Sequence, residues 1–358
     1  MIYQSIRNSI AGWYFTEEEI QQAVSGKRML NPSIDLTNAC NLNCPYCYIE
    51  EKNSERKVRK PNELTLVETL RIIDDLKNCG AKTINIVGAG EPTIDPHFEE
   101  IINYIHSKGL TTVLFTNGIR FVYYQKLLRL LYDRNVSIVL KYNFTDAKNQ
   151  DLVAGRNGYT LKRNSVLRTI LDYGFNSHMP TRFGLDIIVF SGNAEEVLKI
   201  HQWCRKENIF PIAGEYIPTG RTENGEFHGH KSLETFGKKE KFALSKLLQP
   251  IGVNERRKLY NRIKDYDKKI GIEHNDCAAY YGGGICTQIL GLYIDIEGNI
   301  WPCVARKKMK NNLMQEGLLG NFRNGVKPSI IWNENCLLDK VGVVYNGGCP
   351  FKKLITSL

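Results

Sequence analysis

Three cysteines occur within eight residues, in the motif Cys40-x3-Cys44-x2-Cys47, and this spacing constrains the chain more than any other feature. Three thiolates this close can hold three irons of a [4Fe–4S] cluster and leave the fourth iron without a protein ligand. A structural zinc site normally uses four ligands, often as paired C-x2-C motifs, and no partner pair lies nearby in the sequence. Three neighbouring cysteines cannot all pair with one another as disulfides. The motif therefore favours a cluster with one open iron site.

A second short motif, Gly88-Ala89-Gly90-Glu91-Pro92, follows an apolar run at residues 83–87. Small residues let the backbone approach a ligand closely, and strand-end carbonyls with a carboxylate suit an ammonium group. By itself, this stretch is also compatible with an ordinary turn that carries an exposed glutamate. Its position, one helix and one strand after the cysteines, favours a binding role.

Together, the two motifs resemble the signatures of the radical S-adenosylmethionine (SAM) superfamily, including the aromatic residue before the third cysteine, here Tyr46. The resemblance implies that the three cysteines bind a [4Fe–4S] cluster. It also implies that Gly88 to Pro92 matches the glycine-glycine-glutamate-proline element that binds the SAM amino group, with Ala89 in place of one glycine. The activity implied is one-electron reductive cleavage of SAM to a 5′-deoxyadenosyl radical, which takes a hydrogen atom from an unactivated carbon.

Short apolar runs alternate with segments of helical periodicity, which predicts an α/β fold with parallel strands and helices packed outside them. The resemblance implies a partial (β/α)6 TIM-type barrel, and the six units found here agree with it. Site residues in such barrels lie at the strand ends, where both motifs fall. The predicted strands are 33–37, 83–87, 111–116, 136–142, 184–190 and 209–217, and the predicted helices are 64–78, 97–108, 122–133, 161–173 and 194–207.

Polar residues at the other predicted strand ends are further candidates for SAM contacts. The resemblance implies such residues on the SAM carboxylate and ribose, whereas polar residues that only terminate strands are an equally good interpretation of each. Arg221 is compatible with binding a carboxylate or phosphate, or with capping the barrel. Asn193 is also predicted to cap the helix that begins near residue 194. The candidates are Asn117, Lys141, Asn143, Ser191 and Asn193.

Cysteines cluster again near the C-terminus, around a predicted hairpin whose turn is Asp295 to Asn299. This part resembles the SPASM/twitch-type auxiliary-cluster domain of radical SAM enzymes. The second half of a SPASM domain reads Cys-x2-Cys-x5-Cys-x3-Cys. The corresponding positions here hold Cys336, Asp339, Tyr345 and Cys349, so two ligands of a second auxiliary cluster are missing. The resemblance implies one auxiliary [4Fe–4S] cluster, and a zinc ribbon is the alternative. Its four ligands would be Cys277, Cys286, Cys303 and Cys349, with Cys336 left over.

Four segments follow from these patterns. They are an N-terminal extension at 1–32, a radical SAM partial barrel at 33–221, a helical bridge at 222–276 and a small α+β auxiliary-cluster domain at 277–358. Lysines in the bridge alternate with acids and lack interleaved aromatics, which indicates a solvated face and not a nucleic-acid site. Cys79 and Cys204 are predicted core residues, although a spare thiol could instead donate a hydrogen atom to a substrate radical.

Composition argues against membrane and secreted classes. The chain has 358 residues, 42% of them hydrophobic, and contains no apolar stretch long enough to span a bilayer. Its N-terminus lacks the pattern of an export signal, and its ten cysteines suit cluster ligation in a reducing cytoplasm. The formal charge of +10 is compatible with an acidic electron donor of the flavodoxin or ferredoxin type, or with an anionic substrate.

Substrate class is predicted from the resemblance alone. Relatives with one auxiliary cluster act on sugars, which favours a carbohydrate-like or other small natural product, with a ribosomal peptide as the alternative. About 33 residues precede the first predicted strand, fewer than the leader-binding module of many peptide-modifying relatives. A fully thiolate-ligated auxiliary cluster has no open site, so it would accept or relay an electron, which favours dehydrogenation over epimerisation. A non-catalytic metal-binding scaffold is the alternative of another class.

Overall fold

The structure is a computed structural model of the 358-residue chain. It describes residues 9–13, 15–48, 58–216, 218, 220–225, 237–272, 290–304 and 318–334. Among these residues, no helix is both long enough and apolar enough to cross a membrane.

Six parallel strands form the centre of the fold, in the spatial order β6-β5-β4-β3-β2-β1. The register is continuous: Ile84 lies opposite Thr112 between β2 and β3, and Ile187 lies opposite Ala213 between β5 and β6. This arrangement confirms the predicted α/β partial barrel. The strands are β1 (Ser33–Ile34), β2 (Thr83–Ile86), β3 (Thr111–Thr116), β4 (Ser137–Lys141), β5 (Phe183–Val189) and β6 (Phe210–Glu215).

Helices connect successive strands and pack outside the sheet. The predicted helix at 122–133 is in fact two helices, because Tyr124 leaves the helical region with φ −139° and ψ 73°. The prediction also missed α6, which begins where the Asp146 side chain accepts a hydrogen bond from the Asn149 N–H. The helices of the barrel are α1 (Glu17–Ser25), α2 (Leu66–Asn78), α3 (Phe98–Ser107), α4 (Ile119–Tyr123), α5 (Lys126–Asp133), α6 (Ala147–Ala154), α7 (Tyr159–Asp172) and α8 (Ala194–Lys206).

The main core lies between the sheet and its helices. Ile73 and Leu76 of α2 and Ile105 of α3 are fully buried against Ile84 and Leu114 of the strands. Each such side chain contributes about 1.5–3 kcal/mol through removal of apolar surface from water. Helix α2 is fixed at its start by a capping box, in which Thr65 and Glu68 each accept a backbone hydrogen bond from the other.

A separate group of apolar side chains fills the inside of the barrel near the amino ends of the strands. We call it the basal apolar cluster: Ile10, Val113, Val139, Phe210 and Ile212, with Trp13 and Phe115 packed against it. The N-terminal segment reaches this position through backbone hydrogen bonds at Ala11, whose N–H donates to the Thr181 carbonyl at 2.8 Å. The amino end of the barrel is therefore closed by side chains.

The predicted hairpin after residue 290 is present and extends the same sheet. Its strands are β7 (Tyr293–Ile294), β8 (Asn299–Trp301) and β9 (Gly320–Asn321), and β7 pairs with β1 in parallel. Arg323 donates to the Glu68 carboxylate on α2 at 2.7 Å, which lowers the pKa of Glu68 to about 2. The sheet is thus continuous from the barrel into the C-terminal region, while the boundaries at residues 32, 221 and 276 stay predictions.

Three further helices pack on the barrel. Two of them, α9 (Lys238–Leu247) and α10 (Val253–Lys269), lie in the segment predicted as a helical bridge, and α11 (Pro328–Glu334) follows β9. Helix α10 lies against α8, where the buried Asp267 carboxylate is 2.7 Å from His201 Nε2 and 2.9 Å from Arg205 Nη2. Breaking a buried ionic contact of this kind costs about 3–5 kcal/mol. The bridge is therefore attached to the barrel through charged side chains as well as apolar ones.

Candidate active site

The predicted cluster ligands lie on one loop after β1, residues Cys40–Cys47, which we call the cysteine loop. Two glycines from other segments approach its backbone so closely that no side chain fits. A Cβ on Gly90 would lie 2.0 Å from the Ala39 carbonyl oxygen, and one on Gly155 would lie 2.0 Å from the Asn43 carbonyl oxygen. These contacts bring the ends of β2 and α6 against the loop and fix its path.

The end of the loop is held by Gly220 and Arg221. A Cβ on Gly220 would lie 2.5 Å from the Cys47 carbonyl oxygen, and the Arg221 N–H donates to that same carbonyl at 3.0 Å. The Arg221 side chain is 1% exposed, and its Nη1 donates to the Cys44 carbonyl at 3.1 Å and to the Asn43 side chain. Of the two interpretations left open for Arg221, the structure therefore shows a structural one.

The three thiols are partly buried. Cys40 and Cys44 pack against an apolar group that includes Leu42 and Tyr159. Among the described residues, no three His, Cys, Asp or Glu side chains are grouped to hold a single metal ion. A [4Fe–4S] cluster binds each thiolate through a different iron, so its ligands need not converge on one point. Three partly buried thiols, two of them packed against apolar side chains, on a loop fixed from several sides, fit such a cluster better than a single zinc ion.

Glu91 is buried beside the cysteine loop, with 2% of its surface exposed, so the interpretation of an exposed acid is wrong. Its carboxylate accepts hydrogen bonds from the backbone and hydroxyl of Thr93 at 3.2 and 2.6 Å, the hydroxyl of Thr116 at 2.6 Å and the N–H of Asn117 at 2.7 Å. Burial raises the pKa of Glu91, against the lowering effect of these donors. Its backbone N–H donates to Ala39 at 2.8 Å. Glu91 thus joins the ends of β2 and β3 to the cysteine loop.

Within the predicted motif, Gly88 has φ +77°, and a Cβ there would lie 2.7 Å from the Gly90 carbonyl oxygen. Ala89 and Pro92 are buried, and the Gly90 N–H donates to the Thr37 carbonyl at 2.9 Å. The motif is therefore a tight turn packed against the chain that leaves β1. A SAM contact for these five residues stays a prediction.

Asn117, at the end of β3, contacts the loop directly. Its Nδ2 donates to the Asn41 side chain at 2.7 Å, and its Oδ1 accepts from the Ile119 N–H at 3.0 Å. Tyr159 donates to the Asn117 carbonyl at 3.1 Å, and burial raises the pKa of that phenol. Asn117 therefore lies next to the predicted cluster ligands, as expected, with its amide already engaged by protein.

Tyr46 and Asn143 form a buried pair. Asn143 Nδ2 donates to the Tyr46 hydroxyl at 2.7 Å, and Asn143 Oδ1 accepts from the Ile188 N–H at 2.9 Å. Burial, and secondarily the neighbouring Cys44, raise the pKa of Tyr46. Asn143 is 0% exposed, so it is not a surface residue that only terminates a strand.

Asn193 is also buried, and its side chain does not cap α8, contrary to the prediction. The helix begins at residue 194 as expected, but Asn193 Oδ1 accepts from the Phe190 N–H at 2.8 Å. Its Nδ2 donates to the Ile188 and Asn143 carbonyls at 2.9 and 3.1 Å. The amide therefore connects the ends of β4 and β5, and its hydrogen bonds to these segments leave it without a capping role at α8. Ser191 is partly exposed nearby, and its N–H donates to the Gln249 carbonyl at 2.9 Å.

Lys141 lies at the end of β4 and forms an ion pair with Asp186 of β5. Its Nζ is also 5.9 Å from the centre of the Tyr46 ring. Both members of the pair are partly exposed, so they face an open part of the barrel. The sequence interpretation missed Asp186, although a carboxylate within the apolar strand Phe183–Val189 was a usable signal.

The C-terminal ligand set lies largely outside the described residues. Cys303 is partly buried just after β8, whereas Cys277, Cys286, Cys336, Asp339, Tyr345 and Cys349 lie outside them. Of the predicted core cysteines, Cys204 is fully buried, and burial raises its pKa. Burial also raises the pKa of the partly buried Cys79 to about 12. Both thiols are therefore protonated at neutral pH.

Comparison with known proteins agrees with this geometry. The radical SAM superfamily domain matches residues 34–226, more than half of the 358 residues. The chain belongs to the radical SAM superfamily. Members of this superfamily use SAM and a [4Fe–4S] cluster, which confirms the cofactors expected for the first motif.

Two curated relatives have this domain but different printed activities. The S-adenosylmethionine-dependent nucleotide dehydratase of Flammeovirga pacifica is 25% identical over 55% of this chain and 68% of its own length. The probable GTP 3′,8-cyclase of Pyrococcus abyssi is 25% identical over 84% of this chain and 91% of its own length. Superfamily membership is therefore shared across relatives whose substrates differ.

A solved structure has the same fold. SuiB of Streptococcus suis, bound to SAM, superposes with a TM-score of 0.57 at 17% identity, over 96% of this chain and 74% of SuiB. SuiB has also been solved with its precursor peptide SuiA. These structural neighbours are SPASM/twitch-type radical SAM enzymes, as the C-terminal cysteines of this chain predict.

Proposed function

We propose that this protein cleaves SAM reductively and uses the resulting 5′-deoxyadenosyl radical to remove a hydrogen atom from an unactivated carbon of an organic substrate. The observation that carries the proposal is the cysteine loop, with three thiols held by backbone contacts at the carboxyl ends of β1 to β3. A [4Fe–4S] cluster held there by Cys40, Cys44 and Cys47 would supply the electron that cleaves SAM.

The residues of this chain would hold the cluster and SAM in place and would not act as acids or bases. Cys40, Cys44 and Cys47 would hold the cluster, and Arg221 and Asn117 fix the loop that carries them. We expect the segment Gly88–Pro92 to hold the amino end of SAM. The closed basal apolar cluster at the other end of the barrel would keep water from the radical.

Lys141 and Asp186 would lie at the SAM and substrate side of the barrel. Lys141 is tied to Asp186 and lies over Tyr46, the residue before the third cysteine. Lys141 would then supply a cation for the SAM carboxylate, with the Asp186 carboxylate one strand away. Asn143, Ser191 and Asn193 stay candidates for SAM contacts, and the side-chain amides of Asn143 and Asn193 already have hydrogen-bond partners within the protein.

A peptide is the substrate class that we propose first. SuiB, which has this fold over 96% of the chain, is solved with a precursor peptide. Two cations near the strand ends are paired: Lys141 of β4 with Asp186, and Arg256 of α10 with Glu215 of β6 at 3.1 Å. Paired cations are poor ligands for a nucleoside triphosphate, because binding it would break an ion pair in a site of low dielectric. A neutral or cationic segment of peptide meets no such cost.

A small polar molecule, nucleotide or carbohydrate-like, is the second candidate. It is favoured by the probable GTP 3′,8-cyclase, which matches this chain over 91% of its own length. In either case we propose one auxiliary [4Fe–4S] cluster on Cys277, Cys286, Cys303 and Cys349, which would accept an electron from the substrate radical. The product would then be oxidised by two electrons, and an epimerised product would contradict this part of the proposal.

The proposal is tested by replacing Cys40, Cys44 and Cys47 together with alanine in anaerobically reconstituted protein. Formation of 5′-deoxyadenosine with dithionite should be abolished, while about four irons per chain should remain on the auxiliary set. Cys79→Ala is the matched control, because it removes a thiol from the same fold outside the loop, and it should keep wild-type cleavage and about eight irons. Retained SAM cleavage in the triple variant would contradict the proposal.

A further inference from the structure

We propose that an exposed aromatic and basic surface beside the cysteine loop is the docking site for an acidic one-electron carrier protein. The surface, which we call the α4–α7 patch, is formed by Tyr123, Arg156, Leu161 and Lys162. The inference rests on the proposed function, which requires one electron for each SAM cleaved. In that step the carrier is oxidised by one electron and this protein is reduced by one.

Two large side chains of the patch are strongly exposed. Tyr123, at the end of α4, is 69% exposed, and Leu161, in the first turn of α7, is 75% exposed. Lys162 Nζ donates to the Tyr123 hydroxyl at 2.6 Å and lies 5.2 Å from the centre of its ring. An exposed aromatic and an exposed aliphatic side chain beside a cation have the composition of a protein–protein contact.

Arg156 connects the patch to the cysteine loop. Its Nη1 donates at 2.7 Å to the carbonyl of Asn41, which lies between the first two predicted cluster ligands. Lys162 and, more weakly, Arg156 also lower the pKa of the Tyr123 phenol, so the guanidinium lies within electrostatic reach of the ring. One side chain thus spans from the loop to the exposed surface. Because electron-transfer rates fall steeply with distance, a carrier bound here would be well placed.

The charge around the patch is positive. Lys126 is exposed at the start of α5, and Arg120 lies 5.7 Å from the centre of the Tyr124 ring. Two acids of the adjoining helices already have partners within the protein. Asp151 is occupied by hydrogen bonds from the Gly158 and Thr160 backbone, and Glu99 is 4.0 Å from Arg120. An acidic protein surface complements this arrangement, and the +10 formal charge of the chain would steer it inward.

The test uses full-length reconstituted protein with reduced flavodoxin as the electron donor. The double variant Lys126→Glu with Lys162→Glu reverses one charge in the patch and one beside it. The matched control, Arg257→Glu with Lys268→Glu, makes the same change in net charge at exposed positions on α10. Rates of 5′-deoxyadenosine formation are compared with flavodoxin and with dithionite, which is small and needs no docking surface.

With flavodoxin, the patch variant should be about tenfold slower at low salt, and the control less than about twofold slower. Both should match wild type with dithionite. Equal losses in the two variants would show steering by net charge alone and overturn the proposal, as would no loss in either. If wild type itself forms no 5′-deoxyadenosine with dithionite, the proposed function fails, which is a distinct result.

A second variant decides the matter if the charge reversal impairs the fold. Leu161→Ser removes apolar contact area at a 75% exposed position without changing any charge. We expect its KM for flavodoxin to rise about threefold with an unchanged dithionite rate, as for loss of one apolar interface contact. An unchanged KM would overturn the proposal.

Discussion

The two ends of the barrel interior are built from opposite chemistry. At the amino end, the basal apolar cluster packs side chains from β3, β4 and β6 against the N-terminal segment. At the carboxyl end lie the cysteine loop, buried Glu91 and the Lys141–Asp186 ion pair. Val139 and Lys141 lie on the same face of β4, two positions apart. Val139 belongs to the apolar end and Lys141 to the polar end. Because the hydrogen bonds of a sheet do not depend on side-chain type, one end can serve stability and the other chemistry.

The largest effect is expected from Glu91→Ala at the carboxyl end. It leaves donors from Thr93, Thr116 and Asn117 without their acceptor, so the free energy of unfolding should fall by about 3 kcal/mol. Because these donors position the loop, SAM cleavage should fall by about 100-fold. Chemical denaturation and 5′-deoxyadenosine formation measure the two effects. Glu100→Ala, on the exposed face of α3, is the control. If Glu91→Ala cleaved SAM at the wild-type rate, the assignment of chemistry to the carboxyl end would be contradicted.

A pair of substitutions on β4 tests the boundary between the two ends. Val139→Ala should lower the free energy of unfolding by about 2 kcal/mol, because it opens a cavity in the basal apolar cluster. Its SAM cleavage per folded molecule should equal wild type. Lys141→Met should instead slow SAM cleavage about tenfold, and its free energy of unfolding should fall by less than that of Val139→Ala. If Val139→Ala also slowed cleavage tenfold, the two ends would not be separable.

The last comparison concerns stability alone, at the backbone contact of Gly155. Gly155→Ala and Gly158→Ala both place alanine at positive φ, +62° and +73°, which costs each about 1 kcal/mol. Only at Gly155 would the new Cβ meet the loop, whereas nothing lies within 4 Å at Gly158. Gly155→Ala should therefore lose about 2 kcal/mol more stability than Gly158→Ala. If urea denaturation showed the same loss of unfolding free energy in both variants, the cysteine loop would be able to move away from the new Cβ at little cost.

Local patterns predicted most of the fold. The predicted strand 111–116 has the observed bounds of β3, and the helix predicted from residue 194 begins there. Both follow from periodicity within one segment, which depends on neighbours along the chain. The sequence did not predict the division of 122–133 into α4 and α5. The break at Tyr124 leaves the helical spacing of the apolar residues unchanged, so the pattern does not reveal it. Strand β7, which falls in the predicted auxiliary-cluster domain, pairs with β1 of the barrel. The sequence did not predict this pairing, because pairing partners are not encoded locally.

The sequence by itself determined which residues are predicted to carry the chemistry, because thiols at a short spacing and a glycine-rich turn after a strand are recognisable without a fold. Only the tertiary structure decided what surrounds them. It buries Glu91 against three segments and gives Asn143 and Asn193 partners within the protein. It also pairs Asp186 with Lys141, which is 45 residues away in the sequence. These contacts join residues distant in the chain, and their geometry depends on strand order and register, which no local pattern specifies.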